Sequence, residues 1–367
     1  MRLTLLIPEL LWPEPEDDLA WSALQTPALA ALLQAPRGRS NLNRGPALAP
    51  EAQATRWLGL QPPPLGALRL LGETDKPADT DRGANPNDGL WLCADPIHLR
   101  LHQEEIVVAD GRQLELAAEE LTALAASLNA HYAGEASFHP ITAERWYVRL
   151  ETPWAAALPW DALPPLSAAA GRRLHLPTPA DRPSRQLVAL MNEIQMLLHS
   201  HPVNEARAER GQPAVNGLWL WGPGTLAVEG VAAAPGGVWG DEPLARGLAL
   251  AANLQHHPLP MAAPGLLQAA PQGERHLACL SGLQQAAQDQ DAPAWQAALA
   301  RLEADWFAPL KQALARGNLS ELQIVAATSY GDLTWTLTPA DLKRGLLGFF
   351  APKPEPLQAL ARRLAQA

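Results

Sequence analysis

The stretch at 192–224 reads NEIQMLLHSHPVNEARAERGQPAVNGLWLWGPG, and its pattern indicates the fold class. Its first part continues an amphipathic helix predicted from about Ser184 to His199. Its last part, GLWLWG at 217–222, alternates leucine with tryptophan, so both faces of that strand are apolar and the strand is predicted to be buried. A helix followed by a buried strand, repeated along the chain, predicts an α/β protein with a largely parallel sheet.

Polar side chains cluster between that helix and that strand. They are His199, His201, Asn204, Arg207 and Arg210. Imidazole, amide and guanidinium groups suit a phosphate or a carboxylate, because the arginine fork can donate two hydrogen bonds to one anion. The alternative is a solvated helix end followed by a Pro-Gly turn, which composition alone favours because arginines on a helix face are usually solvated. The predicted ligand-binding residues, beside the turn at 222–224, are His201, Asn204, Arg207 and Asn216.

Composition limits the classes of partner and compartment. The 367 residues carry 28 basic and 38 acidic side chains, a net charge of −10, with no run of lysine or arginine. Nucleic acids and anionic membranes are bound mainly by cationic side chains, so we expect neither as a partner. No stretch approaches the roughly 18 uninterrupted apolar residues of a membrane-spanning helix. The isolated cysteines, Cys93 and Cys279, fit a reducing compartment, and we expect the protein in the cytoplasm.

Apolar strands at both ends of the sequence predict the main sheet. The first strand spans 3–7, and later strands are predicted at 276–280, 322–327 and 333–338. Between them, the alternating residues of 90–108 predict a β-hairpin. We expect the first strand and the later strands to share one sheet. The side chains expected in the core are Ile7, Leu29, Leu220, Leu277 and Val325.

The polar segment also carries a family resemblance. HPVN at 201–204, followed by Arg207, Gly211, Asn216 and LWLWGPG, resembles the central motif of archaeal-type cofactor-independent phosphoglycerate mutases, which belong to the alkaline phosphatase superfamily. Shorter resemblances follow in the family's order, namely TPAL at 26–29, WLG at 57–59, the hairpin region at 93–120, WYVRL at 146–150 and LEAD at 302–305. The whole pattern also resembles the bacterial branch known either as phosphoglycerate mutase or as RpfE-type regulatory protein.

The resemblance implies an alkaline-phosphatase-like fold, with a mostly parallel sheet flanked by helices and an inserted smaller α/β domain. On that basis the first part of the core domain is expected at 1–89. The inserted domain and a linker rich in proline and alanine are expected at 90–183. The HPVN segment and the second part of the core domain are expected at 184–367.

The sequence departs from this family at the positions where the resemblance implies catalytic groups. The family holds two metal ions with Asp-Gly, DxxGHxxD and late ADH-type motifs, and uses a serine nucleophile. Here Ile7-Pro8-Glu9 stands in place of Asp-Gly, and 49–55 contains no serine. The segment 284–292 lacks histidine, and TSYGD at 328–332 stands in place of the late motif. Because two-metal phosphoryl transfer needs clustered anionic and imidazole ligands, we expect no metal ion, no cofactor and no catalytic residue.

These observations predict a catalytically degenerate, phosphoglycerate-mutase-like protein that acts as a binding or regulatory protein. It would keep an anion pocket for a small phosphorylated or carboxylated ligand, or bind a protein partner. Two alternatives stay open. One is an active cofactor-independent phosphoglycerate mutase with relocated ligands, and the other is a different phosphate-handling enzyme that uses His201, Asn204 and Arg207.

Two further groups of histidines stand outside the motif. His98, Arg100 and His102 alternate along a predicted strand and so share one face, a possible anion or metal surface. We expect no metal there, because surface histidines rarely ligate a metal without converging partners. His256 and His257 precede a proline-rich loop and are predicted to be structural.

Overall fold

The chain forms two compact units, one made of Met1–Leu60 with Val231–Ala367 and one made of Gln61–Gly230. The first unit therefore contains both ends of the sequence, whereas the second is continuous. The computed structural model describes residues 1–22, 24–34, 40–44, 49–60, 63–73, 84–102, 105–109, 111–151, 158–160, 163–174, 181–226, 236–342 and 355–366.

The strands and helices of the described residues alternate along much of the chain. The strands are β1 (Arg2–Leu6), β2 (Ser40–Arg44), β3 (Leu90–His102), β4 (Glu105–Ala109), β5 (Ala136–Pro140), β6 (Trp146–Leu150), β7 (Arg173–Leu174), β8 (Gly217–Gly224), β9 (Gly236–Trp239), β10 (Gln255–His257), β11 (Arg275–Cys279), β12 (Glu321–Thr328) and β13 (Gly331–Leu337). The helices are α1 (Asp18–Trp21), α2 (Pro27–Gln34), α3 (Pro50–Trp57), α4 (Leu65–Glu73), α5 (Ala118–His131), α6 (Leu166–Ala169), α7 (Arg182–His199), α8 (Pro202–Glu209), α9 (Pro243–Ala251), α10 (Ala263–Ala269), α11 (Gln284–Gln288), α12 (Ala292–Leu302), α13 (Ala308–Arg316), α14 (Pro339–Leu342) and α15 (Leu357–Ala365). A π-helical turn, Glu303–Phe307, joins α12 to α13.

The first unit is built on a seven-stranded sheet in the order β10-β9-β11-β1-β12-β13-β2. Five neighbouring strands, from β10 to β12, run parallel, and β13 and β2 add antiparallel pairs at one side. Leu5 of β1 lies between Ala278 of β11 and Ile324 of β12. The predicted α/β class, with a mostly parallel sheet, is therefore confirmed, and the first strand shares one sheet with the later strands, as expected.

The two faces of this sheet differ in polarity. On one face Leu3, Leu5 and Ile324 are buried against the helices of the main hydrophobic core. On the other face Thr4 donates a hydrogen bond to Gln323 at 3.4 Å. Val325 alternates with Ile324 and lies on this second face, where it is half-buried. The expected burial of Val325 was therefore wrong.

The remaining core predictions hold. The side chains found buried as expected are Ile7, Leu29, Leu220 and Leu277. Among the described helices, none combines the length and apolar character that a bilayer-spanning segment requires.

The second unit contains an antiparallel sheet in the order β5-β6-β3-β4-β7, with β8 also paired to β3. The predicted hairpin is present as β3 and β4, and its expected turn at 103–104 lies outside the described residues. Because β8 pairs with β3 from Gly217 opposite Ile97 to Gly224 opposite Trp91, the HPVN segment belongs to this unit. The expected boundaries, which placed that segment with the core domain, differ from this division.

Candidate functional site

The end of β1 is the first place where the resemblance implies catalytic groups. In open α/β sheets ligands bind outside the carboxyl ends of the parallel strands. Here the chain turns at Glu9, which is buried and has a φ of 54°. Its N–H donates to the carbonyl of Ala327 at 2.9 Å, and its own carbonyl accepts from the indole of Trp295 at 2.9 Å. The backbone after β1 is thus fixed to β12 and α12.

Three indoles pack beside these strand ends, and we call Trp12, Trp21 and Trp295 the indole cluster. The ring centroids of Trp12 and Trp295 are 5.6 Å apart, and those of Trp21 and Trp295 are 5.7 Å apart. All three side chains are buried. The hydroxyl of Tyr330, in the turn after β12, donates to the carbonyl of Trp12 at 2.7 Å. The carboxyl ends of β1 and β12 therefore lie against a tightly packed group of aromatic side chains.

The segment 328–332 forms the turn between β12 and β13. The Thr328 hydroxyl donates to the Gly331 carbonyl at 3.1 Å and accepts from the N–H of Tyr330 at 3.2 Å. Gly331 has a φ of 125°, a backbone conformation that favours glycine. The polar groups in place of the family's late motif thus hold a tight hairpin together.

The two aspartates of 284–292 accept hydrogen bonds from the neighbouring helices α11 and α12. Asp291 is the N-cap of α12, and its carboxylate accepts from the N–H of Ala294 at 2.9 Å. Asp289, exposed just after α11, accepts from the side chain of Gln285 at 2.5 Å. Within the described ranges, no group of three or more histidine, cysteine, aspartate or glutamate side chains is placed to hold a metal ion.

The segment where the nucleophile is implied forms α3. Its N-cap is Ala49, which has no side-chain group to cap the helix. Thr55 carries the sole hydroxyl of 49–55, and this side chain is buried and donates to the carbonyl of Ala52 at 3.0 Å. Elsewhere in the same unit, burial and the nearby Glu242 raise the pKa of the Cys279 thiol to about 12. Neither side chain is activated as a nucleophile.

Glu303 has a structural role that the sequence did not indicate. Its two carboxylate oxygens accept hydrogen bonds from the backbone N–H groups of Ala28, at 2.6 Å, and Leu29, at 3.0 Å. These N–H groups belong to the first turn of α2, where an anion is also favoured by the helix dipole. The resemblance of LEAD at 302–305 pointed to this residue, but the helix start that it satisfies is 275 residues away in sequence.

In the second unit, His201 is the N-cap of α8. Its Nδ1 accepts from the N–H of Val203 at 3.2 Å, and its Nε2 lies 2.9 Å from the Ser127 hydroxyl. The N–H of Val203 can only donate, so the imidazole is neutral and carries its proton on Nε2. Burial lowers the pKa of His201, in the direction that keeps this neutral form.

Asn204 ties the end of α7 to the start of β8. Its amide nitrogen donates to the carbonyls of Leu198, at 2.7 Å, and Val215, at 2.8 Å. Its amide oxygen accepts from the N–H of Val215 at 2.8 Å. Both polar ends of this buried side chain are therefore used to fix the backbone before β8.

Arg207 is fully buried, and each of its guanidinium nitrogens donates a hydrogen bond within the chain. Nε donates to Pro213 at 2.8 Å, Nη1 to the Glu120 carboxylate at 2.7 Å, and Nη2 to the Leu114 carbonyl. Glu120 also accepts from the exposed Arg210 at 2.5 Å. Partial burial alone would raise the pKa of Glu120, but the Ala117 N–H and the two arginines lower it below its ordinary value.

Asn216 bridges β8 to β3. It accepts from the N–H of Leu99 at 2.7 Å and donates to the carbonyl of the same residue at 2.9 Å. Nearby, Nδ1 of His98 lies 2.7 Å from the carbonyl of Ala214. Arg100 is exposed, and the side chain of His102 lies outside the part of the chain that the structure describes.

The two glycines of the predicted GPG turn lie within β8, at the end away from Asn216. Asn216 and Gly222 are six residues apart, or about 20 Å along a strand. Gly222 has a φ of 65°, and a Cβ there would lie 2.7 Å from the Cβ of Leu65, while a Cβ on Gly224 would overlap Pro64. The predicted turn is therefore wrong, because residues 222–224 form the last part of β8, where they approach the start of α4 and do not converge with the four polar residues.

Neither a family model nor a curated protein matches the chain. Its structural neighbours include the cofactor-independent phosphoglycerate mutase from Thermoplasma acidophilum DSM 1728, with 17% identity, a TM-score of 0.43, and coverage of 100% of this chain and 99% of that one. They also include the PH0037 protein from Pyrococcus horikoshii, with 14% identity, a TM-score of 0.51, and coverage of 94% of this chain and 90% of that one. The second likeness shows a common fold.

The four predicted ligand-binding residues all bond within the chain, and because Arg207 is fully buried the alternative of a solvated helix end is wrong for this residue. Three of them, His201, Asn204 and Arg207, hold α8 and the loop before β8, and Asn216 holds β8 to β3. Ligand binding by this group stays a prediction. Since Arg207 and Arg210 both donate to Glu120, an anion entering here would have to displace that carboxylate.

Proposed function

We propose that this chain is a phosphoglycerate-mutase-like protein that does not catalyse the mutase reaction and acts as a binding or regulatory protein. The observation that carries the proposal is the packing at the carboxyl ends of β1 and β12. The indole cluster packs beside these strand ends, and the hydrogen-bonded turn at 328–332 stands in the segment where the resemblance implies metal ligands. A buried aromatic cluster stabilises a fold, but it supplies no group that could ligate a metal ion or accept a proton.

The nucleophile position supports the same proposal. A phosphoryl-transfer nucleophile must be exposed to its substrate and activated by a base or a metal ion. The Thr55 hydroxyl is buried and donates to a carbonyl of its own helix. This arrangement supports a role in the helix and not in a covalent intermediate.

The proposed ligand is a small phosphorylated or carboxylated molecule, or else a protein partner. For the small molecule, the HPVN segment offers Arg207 and Arg210, which share the Glu120 carboxylate. Binding would require the ligand to replace that carboxylate on at least one guanidinium group. Arg210 is the accessible member of the pair, since half of its side chain is exposed.

The proposal is tested by measuring interconversion of 2- and 3-phosphoglycerate with manganese or magnesium added, beside an active cofactor-independent mutase. We expect no turnover above the protein-free rate, and no stoichiometric manganese or zinc in elemental analysis of protein purified without chelator. Turnover that survives repeated purification and depends on added metal would overturn the proposal.

Calorimetric titration with 3-phosphoglycerate tests the ligand separately. If the two arginines bind it, heat is released on titration, and Arg210→Ala weakens binding by about 1.5 to 3 kcal/mol, the usual range for a hydrogen bond to a charged group. Absence of binding by the wild type would reject the phosphoglycerate ligand and leave the protein partner as the proposed mode.

A further inference from the structure

At one edge of the seven-stranded sheet, imidazoles surround a single indole. Trp239, at the end of β9, stacks on His257 of β10 with ring centroids 4.1 Å apart and an interplanar angle of 18°. The indole Nε1 of Trp239 lies 3.4 Å from Nδ1 of His276 on β11. On its other side, Nε2 of His276 lies 3.3 Å from the carbonyl of Pro271. His276 is 1% exposed, so it is closed off from solvent.

These contacts fix the protonation state of His276. An indole N–H can only donate and a carbonyl can only accept, so Nδ1 must be the acceptor and Nε2 must carry the proton. A protonated imidazole has an N–H on both nitrogens, and its Nδ1–H would point at the indole N–H. Protonation therefore breaks the contact with Trp239 and leaves a charged group in the core, which is costly without a paired anion.

The charges around His276 act in both directions. Burial lowers the pKa of His276, and the nearby His257 and the amino group of Met1 lower it further, while the Pro271 carbonyl and Glu274 raise it. Burial also lowers the pKa of His257, as does its neighbour His256. A proton on His257 would be favourable over the indole face, so the contact that cannot tolerate a proton is the one at His276.

The edge strand of this sheet is β10, and its two histidines and Trp239 of β9 hold it in place. β10 has three residues and pairs with β9 alone in the described sheet. The N–H of Gly240 donates to the carbonyl of His257 at 3.1 Å, and Nε2 of His256 lies 2.8 Å from the carbonyl of Gly240. A strand held by so few bonds depends on the position of the indole against which it packs.

We propose that His276 is an acid-sensitive lock on this edge of the sheet. When His276 takes up a proton from solvent, its bond to Trp239 is lost, the indole shifts, and β10 separates from β9. Above the ordinary histidine pKa, about 6.5, the edge is closed, and as the pH falls from there towards the lowered pKa of His276 the open form gains population. The neighbouring strands β11, β1 and β12 stay paired.

The test is amide hydrogen exchange at pH 7.5 and at pH 5.0, corrected for the intrinsic effect of pH on exchange. We expect protection of β9 and β10 amides to fall by up to about tenfold for each pH unit as the pH drops from the ordinary histidine pKa, about 6.5, towards the lowered pKa of the closed edge, the slope for one proton, while β12 amides keep theirs. His276→Asn, with an amide oxygen that can accept from the indole and does not titrate, should abolish the fall. His199→Asn, an exposed histidine of the second unit, is the matched control. An equal fall in His276→Asn, or constant protection in the wild type, would overturn the proposal.

A second measurement covers the case in which His276→Asn fails to fold. Nuclear magnetic resonance of the wild-type imidazoles should show His276 titrating below its ordinary pKa, with the Trp239 indole N–H signal shifting at the same midpoint. If the Trp239 indole N–H signal did not change as His276 titrates, the proposal would be wrong.

Discussion

The family resemblance implies functional residues in two regions of this protein. The two regions differ in whether those residues are present. At the carboxyl ends of β1 and β12 the sequence lacks the ligands that the resemblance implies, and the structure has the indole cluster and the turn at 328–332 packed beside these strand ends. In the HPVN segment the matching residues are present, but each is bonded to the backbone or to Glu120. A motif can thus persist because it holds a loop in place, and such a match identifies a fold more securely than a chemistry.

The largest expected effect comes from removing the central indole of the cluster. Trp295→Ala should lower the free energy of unfolding by about 4 kcal/mol, since it leaves a large cavity and an unsatisfied carbonyl at Glu9. Urea denaturation measures this, and Met261→Ala, on a side chain 95% exposed, should change almost nothing. If Trp295→Ala were as stable as the wild type, the region would not be the packed core described here.

The second prediction compares two arginines that share one carboxylate. Arg207→Ala should destabilise the protein by about 3 kcal/mol, because it leaves Glu120 and two carbonyls without their buried donor. Arg210→Ala should cost less than about 1 kcal/mol, because that ion pair is exposed. Equal melting temperatures for the two variants would remove the structural role assigned to Arg207 and would favour the ligand-binding alternative.

The third prediction concerns Glu303, which lies in the LEAD segment that resembles the family and which caps the start of α2. Glu303→Gln keeps one acceptor oxygen but leaves one N–H at the start of α2 unsatisfied, so we expect a loss of about 2 kcal/mol in unfolding free energy. Asp305→Asn, an exposed neighbour in the same turn, is the control and should change stability by less than about 0.5 kcal/mol. A larger effect for Asp305→Asn would contradict the assignment.

The smallest effect is a pH dependence in the HPVN segment. Because burial lowers the pKa of His201, its contribution to stability is complete above the pKa of the unfolded chain, about 6.5, and is lost as pH falls from there towards the folded value. His201→Asn keeps an N-cap acceptor that does not titrate, so amide exchange in α8 should depend less on pH between 7.5 and 5.5. An unchanged dependence would place the titrating group elsewhere.

Much of the fold followed from local sequence patterns. The alternation in β3 and β4 predicted their hairpin, and the order of the elements, together with the resemblance, predicted that β1 shares one sheet with β11 and β12. Contacts between distant residues were not predicted. The carboxylate of Glu303 caps a helix start 275 residues earlier, and Trp12 meets Trp295 across most of the sequence. No local pattern encodes such pairs, because burial and hydrogen bonding depend on the packed fold.

In the candidate site, too, contacts between distant residues were not predicted. The residue types in the HPVN segment were identified correctly as a polar cluster, but their partners were not. Whether Arg207 binds a ligand or Glu120 depends on where α5 lies, and no spacing within 192–224 contains that information. Val325 was misplaced for a related reason, since its burial depends on what covers the second face of the sheet.

The division of the first unit between both ends of the chain has a consequence for biosynthesis. The residues of β1 emerge from the ribosome before their partners in β11 and β12, which begin at Arg275 and Glu321. The second unit, Gln61–Gly230, is continuous and can fold while β1 still lacks its neighbours. We therefore expect ribosome-bound chains that end near residue 270 to contain a protease-resistant second unit and a protease-sensitive β1. Until the last third of the chain is made, the apolar strand β1 has no partner strand. An unpaired apolar strand can pair with other chains, so the nascent protein is most prone to aggregation during this time.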